Sequence, residues 1–224
     1  MSMRILVLGG GGREHAMVQA LATGARVGEP VTLFCAPGNA GIAAQAHCLP
    51  IAGCDVDQVQ SWVRQHGIDL VIPGGEAWLA AGVADRLRSV AIPCVGPTAA
   101  AARLESSKVF ARTLAAWLGV PGPRFRCVYG ERDLSHALSD FDAVPVLKAD
   151  GLAAGKGVYL PDGWGECWSL GRALLNGALG AAGRTLIVEE RLHGTEASLF
   201  FACAGRDCVA LPHARDHKRL YDGD

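Results

Sequence analysis

The feature that most constrains the fold is an alternation of short apolar runs with helical segments over roughly the first hundred residues. The predicted strands are residues 4–8, 31–35, 69–72 and 91–95, and the predicted helices between them are 14–23, 56–66 and 79–89. Strands that are apolar throughout are typical of parallel sheets buried on both faces, and the helices supply the connections. The sequence therefore predicts an α/β domain with a parallel sheet.

The pattern changes in the second half of the chain. Residues 98–118 are rich in alanine and predict two helices that meet near Glu105 and Ser106, and Pro121-Gly122-Pro123 then marks a boundary. The elements predicted beyond it are strands at 124–128, 144–148, 157–160, 185–190, 196–202 and 208–211 and helices at 134–138 and 165–175. Residues 204–207 read as a hairpin turn. This half is predicted to be a small α+β unit with antiparallel strands.

Charge and composition exclude several classes of protein. The 224 residues contain 21 Lys and Arg against 22 Asp and Glu, so no charge excess predicts a nucleic-acid or membrane partner. Half of the residues are hydrophobic, enough for a sizeable core. No apolar run is long enough to cross a bilayer, and the first residues lead directly into a strand instead of a signal peptide. We therefore expect a cytoplasmic protein.

The chain has eight cysteines without CxxC spacing, and no histidine pattern suggests a zinc site. Most of them lie in apolar stretches. We interpret them as small buried thiols in a reducing compartment, and a metal or disulfide role is the less favoured alternative.

A first glycine-rich loop, residues 9–12, lies between a predicted strand and a predicted helix. Backbone N–H groups at such a junction attract anions. However, Glu14 stands where the dinucleotide fingerprint has a glycine, and Ala36-Pro37-Gly38-Asn39 follows the second strand instead of an acid. NAD is therefore disfavoured, and the loop is either a site for a small anionic ligand or only a tight turn.

A second loop, residues 148–158, resembles a P-loop but has a shorter glycine spacing, and Gly157 replaces the residue that would hold Mg²⁺. Its flanks are two predicted strands. Small residues and two lysines favour a loop that closes over phosphate oxygens, and a plain hairpin is the alternative. Downstream, Glu189, Glu190 and Glu196 are either acceptors for adenine and ribose or a solvated strand end.

Six motifs in order make the chain resemble a known family. They are residues 9–16 (GGGGREHA), 37–41 (PGNAG), 96–108 (GPTAAAARLESSK), 148–158 (KADGLAAGKGV), 189–198 (EERLHGTEAS) and 216–219 (DHKR). Together they resemble the N-terminal half of the phosphoribosylamine–glycine ligases (glycinamide ribonucleotide synthetases), ATP-grasp enzymes of purine biosynthesis. The resemblance implies a parallel-sheet pre-ATP-grasp domain with a helical linker (1–120), a small α+β ATP-grasp lid (121–192) and the start of a truncated third, catalytic subdomain (193–224).

The resemblance also implies roles for individual residues. The residues implied to bind ATP are Lys108, Lys148, Gly151, Gly155, Lys156, Gly157, Glu189, Glu190, Leu192 and Glu196. The residues implied to bind the other substrates are Gly10, Gly11, Gly12, Glu14, Asn39, Glu76, Asp216, His217 and Lys218. Lys148, Lys156 and Lys218 are the implied catalytic residues. Metal ligands are expected beyond this sequence and none within it.

The implied reaction ligates glycine to 5-phosphoribosylamine with ATP and Mg²⁺ or Mn²⁺. The glycine carboxylate attacks the γ-phosphate, and the amine then displaces phosphate from glycyl phosphate, giving glycinamide ribonucleotide and ADP. The family continues past the DHKR motif, so the C-terminal half is expected to be missing and independent activity is open. Two alternatives remain: a non-catalytic nucleotide- or phosphosugar-binding remnant, or another carboxylate–amine ligase completed by a second chain. Self-association also remains open.

Overall fold

A computed structural model describes residues 2–24, 30–51, 53–151 and 157–215 of the chain. The chain divides into two compact units, Met1–Glu190 and Arg191–Asp224, which we describe separately. The predicted domain boundaries at residues 120 and 192 stay predictions. Within the described ranges, no helix is both long and apolar enough to cross a membrane.

The first sheet of the larger unit is parallel, as the sequence predicts. Its elements are β1 (Met3–Gly9), α1 (Gly12–Gly24), β2 (Val31–Pro37), β3 (His47–Cys48), α2 (Val56–His66), β4 (Leu70–Pro73), α3 (Glu76–Ala80) and α4 (Val83–Arg88). The strand order is β3-β2-β1-β4, so the chain adds strands on one side of β1 and then on the other. In such sheets the crevice at the carboxyl ends of the strands, where the order reverses, is the usual ligand site.

Both faces of this sheet are covered, and β1 contributes apolar side chains to each face. Leu6 and Leu8 point into a cluster with residues of α2, α3 and α4, including Val63 and Leu87. The intervening Ile5 and Val7 pack on the opposite face in a second cluster, which includes Val18 of α1. Alternate residues of a strand point to opposite faces, which is why an unbroken apolar run predicts burial on both sides.

Two predicted elements of this domain differ in the structure. The helix predicted at 79–89 is divided into α3 and α4 at Gly82, whose φ of 86° is left-handed. The strand predicted at 91–95 contributes only an isolated bridge between Cys94 and Val71. Ala91 has a positive φ, and Pro93 has no N–H to donate to the neighbouring strand β4, so pairing does not extend.

The second sheet of the larger unit is antiparallel, which confirms the prediction for this half of the chain. Two helices precede it, α5 (Ala99–Ser106) and α6 (Lys108–Trp117). The strands and the helices between them are β5 (Phe125–Val128), α7 (Glu131–Ser139), β6 (Val146–Ala149), β7 (Val158–Tyr159), α8 (Trp164–Ala173) and β8 (Leu186–Glu189). The strand order is β5-β8-β6-β7. Leu134 of α7 and Cys167 of α8 pack against strand residues in one core.

The helical stretch before this sheet forms two helices, as predicted. Ser107 ends α5 and begins α6, and its hydroxyl accepts a hydrogen bond from the Phe110 N–H at 3.1 Å. A serine at this position satisfies one of the N–H groups that a new helix leaves without a partner.

The described part of the smaller unit, which ends at residue 215, contains four short strands. They are β9 (Ala197–Ser198), β10 (Phe201–Ala204), β11 (Asp207–Ala210) and β12 (Ala214–Arg215). β10 and β11 form the predicted hairpin, and β9 pairs with β12, both antiparallel. The single strand predicted at 196–202 is therefore divided between β9 and β10.

Replacement of Leu6 by alanine tests the core of the parallel sheet. Leu6 is fully buried in the centre of β1. We expect Leu6→Ala to lower the free energy of unfolding by about 2–5 kcal/mol, because it removes buried methyl groups and leaves a cavity. Leu160→Ala is the matched control, since Leu160 is 57% exposed and its replacement should change stability by less than about 0.5 kcal/mol. Urea denaturation followed by circular dichroism measures both, and equal effects would contradict the assignment.

Candidate functional site

A cleft of about 270 Å³ in the larger unit brings together side chains of five elements. Its lining residues are Leu104, Glu105, Lys108, Ala111, Arg112, Lys148, Val158 and Glu189. Three sequence-predicted residues, Lys108, Lys148 and Glu189, thus share one cleft although they are far apart in the chain. Its three cations and its apolar side chains suit a ligand with a negatively charged part and an apolar part.

Glu189 is the centre of the charged network in the cleft. Its side chain at the end of β8 is only 2% exposed. The Arg112 guanidinium donates to both carboxylate oxygens, from Nε at 2.5 Å and from the second nitrogen at 3.3 Å, and the Lys148 ammonium donates to Oε2. Burial acts to raise the pKa of Glu189, but the hydrogen bonds and charges of Arg112 and Lys148 outweigh it and hold the pKa below its ordinary value. Glu189 is therefore an anion that fixes two cations.

Arg112 lines the cleft although none of the sequence motifs indicates it. It lies on α6 four residues after Lys108, so both side chains occupy the same face of the helix. This spacing from a predicted phosphate-binding lysine is the sequence signal that could have found it. The carboxylate partner could not have been found this way, because Glu189 belongs to a distant strand.

Asp150 anchors the start of the second loop to the N-terminus of α6. Its Oδ1 accepts a hydrogen bond from the Val109 N–H at 3.1 Å, and its Oδ2 accepts one from the Ser107 hydroxyl at 3.2 Å. Lys108 Nζ donates to the Gly151 carbonyl at 3.1 Å. A carboxylate at a helix N-terminus is favoured by the unpaired N–H groups and by the helix dipole. These bonds fix the position at which the loop leaves β6.

The second loop connects two paired strands, as predicted. Lys148 on β6 pairs in register with Val158 on β7, and the Ala149 N–H donates to the Gly157 carbonyl at 2.8 Å. The predicted residues Gly155 and Lys156 lie outside the described residues. The predicted Gly151 and Gly157 therefore mark the two ends of the loop at the edge of the cleft.

The first glycine loop lies at the carboxyl end of β1, beside the loop that follows β2. The Gly38 N–H donates to the Gly9 carbonyl at 3.0 Å, and the Asn39 amide donates to the Gly10 carbonyl at 2.9 Å. A side chain at Gly10 would lie 2.5 Å from the Gly38 carbonyl oxygen, so glycine is required for this close approach. The predicted Asn39 thus holds the predicted glycine loop in place.

Glu14 fills the space between this loop and the loop after β4. Its side chain is buried, and Oε2 accepts a hydrogen bond from the Gly11 N–H at 2.6 Å. A Cβ atom at Gly9 would lie 2.5 Å from Glu14 Cγ, and one at Gly74 would lie 2.2 Å from it. A carboxylate therefore occupies the position where a dinucleotide-binding fold brings helix and strand into contact through glycine.

The remaining predicted residues have different placements. Glu76 begins α3 directly after Gly74 and Gly75, and Gly12 begins α1, so both lie at the same edge of the parallel sheet as Asn39. Glu190 is exposed and accepts a hydrogen bond from the Arg124 N–H at 3.2 Å beyond the end of β8.

Leu192 and Glu196 are exposed residues of the smaller unit. Asp216, His217 and Lys218 lie outside the described residues. Among the residues that the structure describes, no group of three His, Cys, Asp or Glu side chains could hold a metal ion.

Comparison with known proteins gives the family. The family described as phosphoribosylglycinamide synthetase, N domain, matches residues 3–105, and its ATP-grasp (A) domain matches residues 106–224. The chain belongs to the phosphoribosylglycinamide synthetase family. This confirms the resemblance that the six motifs indicate, and the two matches together cover nearly the whole chain.

Named relatives of this family are similar over the whole chain. It is 41% identical over 222 residues to a phosphoribosylamine–glycine ligase of Rhizobium meliloti (strain 1021), covering 99% of this chain and 52% of the relative. A ligase of the same name from Mesorhizobium japonicum is 42% identical over 226 residues, again covering 99% and 52%. The chain therefore spans about half the length of the curated relatives it matches.

Solved structures agree with this assignment. The crystal structure of phosphoribosylamine–glycine ligase from Thermotoga maritima matches with a TM-score of 0.81 and 29% identity over 99% of this chain and 52% of that one. The ADP complex of an N5-carboxyaminoimidazole ribonucleotide synthetase matches with a TM-score of 0.77 and 17% identity, over 97% and 55%. The second likeness is one of fold alone.

The close packing of Glu14 in this phosphoribosylglycinamide synthetase domain gives a paired test. We expect Gly74→Ala to lower the free energy of unfolding by about 1–3 kcal/mol, because its Cβ would displace the Glu14 side chain. Gly75→Ala is the control, since a Cβ at Gly75 meets no atom within 4 Å. Thermal and urea unfolding measure both variants, and a harmless Gly74→Ala would show that Glu14 does not pack as described.

The Glu189 network predicts a pH dependence of stability. At neutral pH, Glu189→Gln should lower the free energy of unfolding by roughly 1–3 kcal/mol, because Arg112 and Lys148 lose their anionic partner. The folded-state pKa of Glu189 is lowered, so its contribution is present above the ordinary carboxyl pKa and disappears as the pH falls through the folded value. The difference in the free energy of unfolding between the unchanged chain and the Glu189→Gln variant should therefore become smaller below about pH 4. Urea unfolding across that range measures it, and a constant difference would contradict the prediction.

Proposed function

We propose that this chain forms the amine-substrate domain and part of the ATP site of a phosphoribosylamine–glycine ligase. The enzyme joins glycine to 5-phosphoribosylamine with ATP, giving glycinamide ribonucleotide, ADP and phosphate. The observation that carries this proposal is the cleft lined by Lys108, Arg112 and Lys148, in which Arg112 and Lys148 bond to the buried Glu189. The names of the curated relatives support the reaction.

In this proposal, Lys108 and Lys148 bind the phosphates of ATP. Both ammonium groups line the cleft, and the bonds of Asp150 and of the Gly151 carbonyl fix the loop beside them. Phosphoryl transfer to the glycine carboxylate builds negative charge on the phosphate oxygens, and preorganised cations stabilise it. Gly151, Gly155, Lys156 and Gly157 would form the loop that excludes water from these phosphates.

Glu189 and Arg112 order the cleft and determine the position of Lys148. The Glu189 carboxylate has two oxygens, and each accepts a hydrogen bond from Arg112. Remaining lone pairs can accept a further bond, so Glu189 can also accept a hydrogen bond from the adenine amino group. Leu192 would contact the adenine through its backbone, and Glu190 and Glu196 complete the proposed ATP contacts.

The glycine loop at the carboxyl edge of the parallel sheet is the proposed site for 5-phosphoribosylamine. Gly10, Gly11 and Gly12 lead into the N-terminus of α1, and Asn39, Glu14 and Glu76 lie around the same edge. Helix N-termini favour phosphate, and the reversal of strand order beside β1 opens a crevice at this edge. Asp216, His217 and Lys218 are also proposed to bind the substrates.

Magnesium, or manganese, is proposed to bind together with the nucleotide. The only carboxylates that line the described cleft are Glu105 and Glu189, and Glu189 already pairs with two cations. These residues do not form a metal site by themselves, so the ion would be held largely by the phosphates. When bound, it spreads the charge of the transferring phosphoryl group.

Calorimetric titration with Mg-ATP tests the nucleotide site on the chain as it exists. We expect Lys148→Ala to weaken binding by about tenfold to a hundredfold, because a charge-assisted contact to phosphate is lost. Lys148→Arg keeps the charge and should fall between Lys148→Ala and the unchanged chain. Arg132→Ala removes an exposed cation of α7 and should have no effect.

Turnover separates the ligase from its alternatives. In an active form, phosphate release should require both glycine and phosphoribosylamine, and Lys148→Ala should reduce the rate by roughly 10²–10³-fold. Nucleotide binding without turnover in any combination of chains would favour a binding remnant. Activity that appears only with a second polypeptide would favour a divided enzyme.

In the calorimetric titration, equal Mg-ATP affinity of the Lys148→Ala variant and the unchanged chain would contradict the proposed site.

A further inference from the structure

Two cysteines face each other across the β10–β11 hairpin of the smaller unit. Cys203 on β10 is paired in register with Cys208 on β11. The strands are joined by the two-residue turn Gly205-Arg206, and Gly205 has a φ of 63°, as the first central residue of a type II′ turn requires. A short hairpin with this turn has a fixed register, so Cys203 and Cys208 are held opposite each other.

The hydrogen bonds of the hairpin determine which kind of pair the two cysteines form. The Leu211 N–H donates to the Phe200 carbonyl at 2.9 Å, which marks this pair as hydrogen-bonded. Antiparallel pairs alternate between hydrogen-bonded and non-hydrogen-bonded types, so Cys203 and Cys208, three positions along the ladder, are a non-hydrogen-bonded pair. Such pairs have Cα atoms about 4.5 Å apart, within the range of about 4.4–6.8 Å that a disulfide spans.

Access and mutual contact also distinguish this pair. Cys203 and Cys208 are both exposed, contrary to our sequence-based interpretation of the cysteines as buried thiols. A hydrogen bond to the Cys208 sulfur is the main cause that raises the pKa of the Cys203 thiol, and the nearby Cys208 charge acts in the same direction.

The other paired cysteines differ in access. Cys35 and Cys48 are neighbours on the parallel strands β2 and β3, but Cys35 is fully buried and burial raises its pKa to about 11. Oxidation should therefore select the hairpin pair, because thiol–disulfide exchange needs an accessible thiolate.

From the register and exposure of the hairpin, we propose that Cys203 and Cys208 are a dithiol–disulfide site that exchanges with small-molecule disulfides. The Cys208 thiolate attacks one sulfur of the small disulfide, forms a mixed disulfide and releases one small thiolate. The Cys203 thiolate then attacks the Cys208 sulfur and releases the second. Two electrons pass from the cysteines to the small disulfide, and the two cysteine protons pass to the two small thiols. The product is a disulfide that closes the hairpin.

Oxidised glutathione followed by peptide mapping tests this site on the native chain. Trypsin cleaves after Arg191, Arg206 and Arg215, so the two cysteines fall into separate peptides, 192–206 and 207–215, each with one cysteine. After free thiols are alkylated, we expect these peptides to be recovered as one disulfide-linked species. Reduced glutathione in excess should separate them again. Recovery of both peptides in alkylated form, or only as separate glutathione adducts, would overturn the proposal.

Variants and unfolded chain supply the controls. Cys203→Ser and Cys208→Ser should each abolish the linked species, and Cys48→Ser, which removes another exposed cysteine, should leave it unchanged. The equilibrium constant with glutathione should be at least about tenfold larger in the folded chain than in urea, because the hairpin raises the effective concentration of one thiol near the other. Equal equilibrium constants in the folded chain and in urea would show that the hairpin does not favour the disulfide, and that the two cysteines pair only because they are close in sequence.

Discussion

The larger unit depends on one buried carboxylate. Glu189 at the end of β8 accepts hydrogen bonds from Arg112 on α6 and Lys148 on β6, and so ties the antiparallel sheet to the helices that precede it. A buried anion is costly unless it is paired, and two cations with matched hydrogen bonds remove that cost. The same arrangement leaves positive charge facing a cleft. The interaction that stabilises the fold is thus also the one that prepares the cleft for an anionic ligand.

Two further constraints place the loops around this network. Asp150 binds the N-terminus of α6 and sets where the chain leaves β6 toward the cleft. At the parallel sheet, Glu14 fills the space beside Gly9 and Gly74, and Asn39 holds the Gly10 carbonyl. In both places an acidic side chain satisfies backbone N–H groups at or before the start of a helix. Such bonds order the loops before any ligand arrives, which reduces the entropy lost on binding.

Much of the fold could be predicted from periodicity and turn residues. The apolar run at Ile5–Leu8 predicts a strand buried on both faces, and the junction near Ser107 predicts two helices; both are observed. The predictions were wrong where the backbone conformation of a single residue decides whether a helix or a strand continues. Gly82 interrupts a continuous helical pattern. Ala91 and Pro93 limit the fourth predicted strand, residues 91–95, to a single bridge. The burial of cysteines also could not be predicted, since Cys203 lies in an apolar stretch and is nevertheless exposed.

The sequence by itself determined the alternation of elements, the two glycine loops, and the family through its six motifs. These are local properties, because glycine, proline and apolar periodicity act on neighbouring residues. The tertiary structure alone decided that Arg112 meets Glu189, 77 positions later, and that Glu14 packs between two loops. It also decided that Cys203 faces Cys208 in a non-hydrogen-bonded pair. Such contacts depend on strand order and register, which the hydrophobic pattern restricts but does not specify.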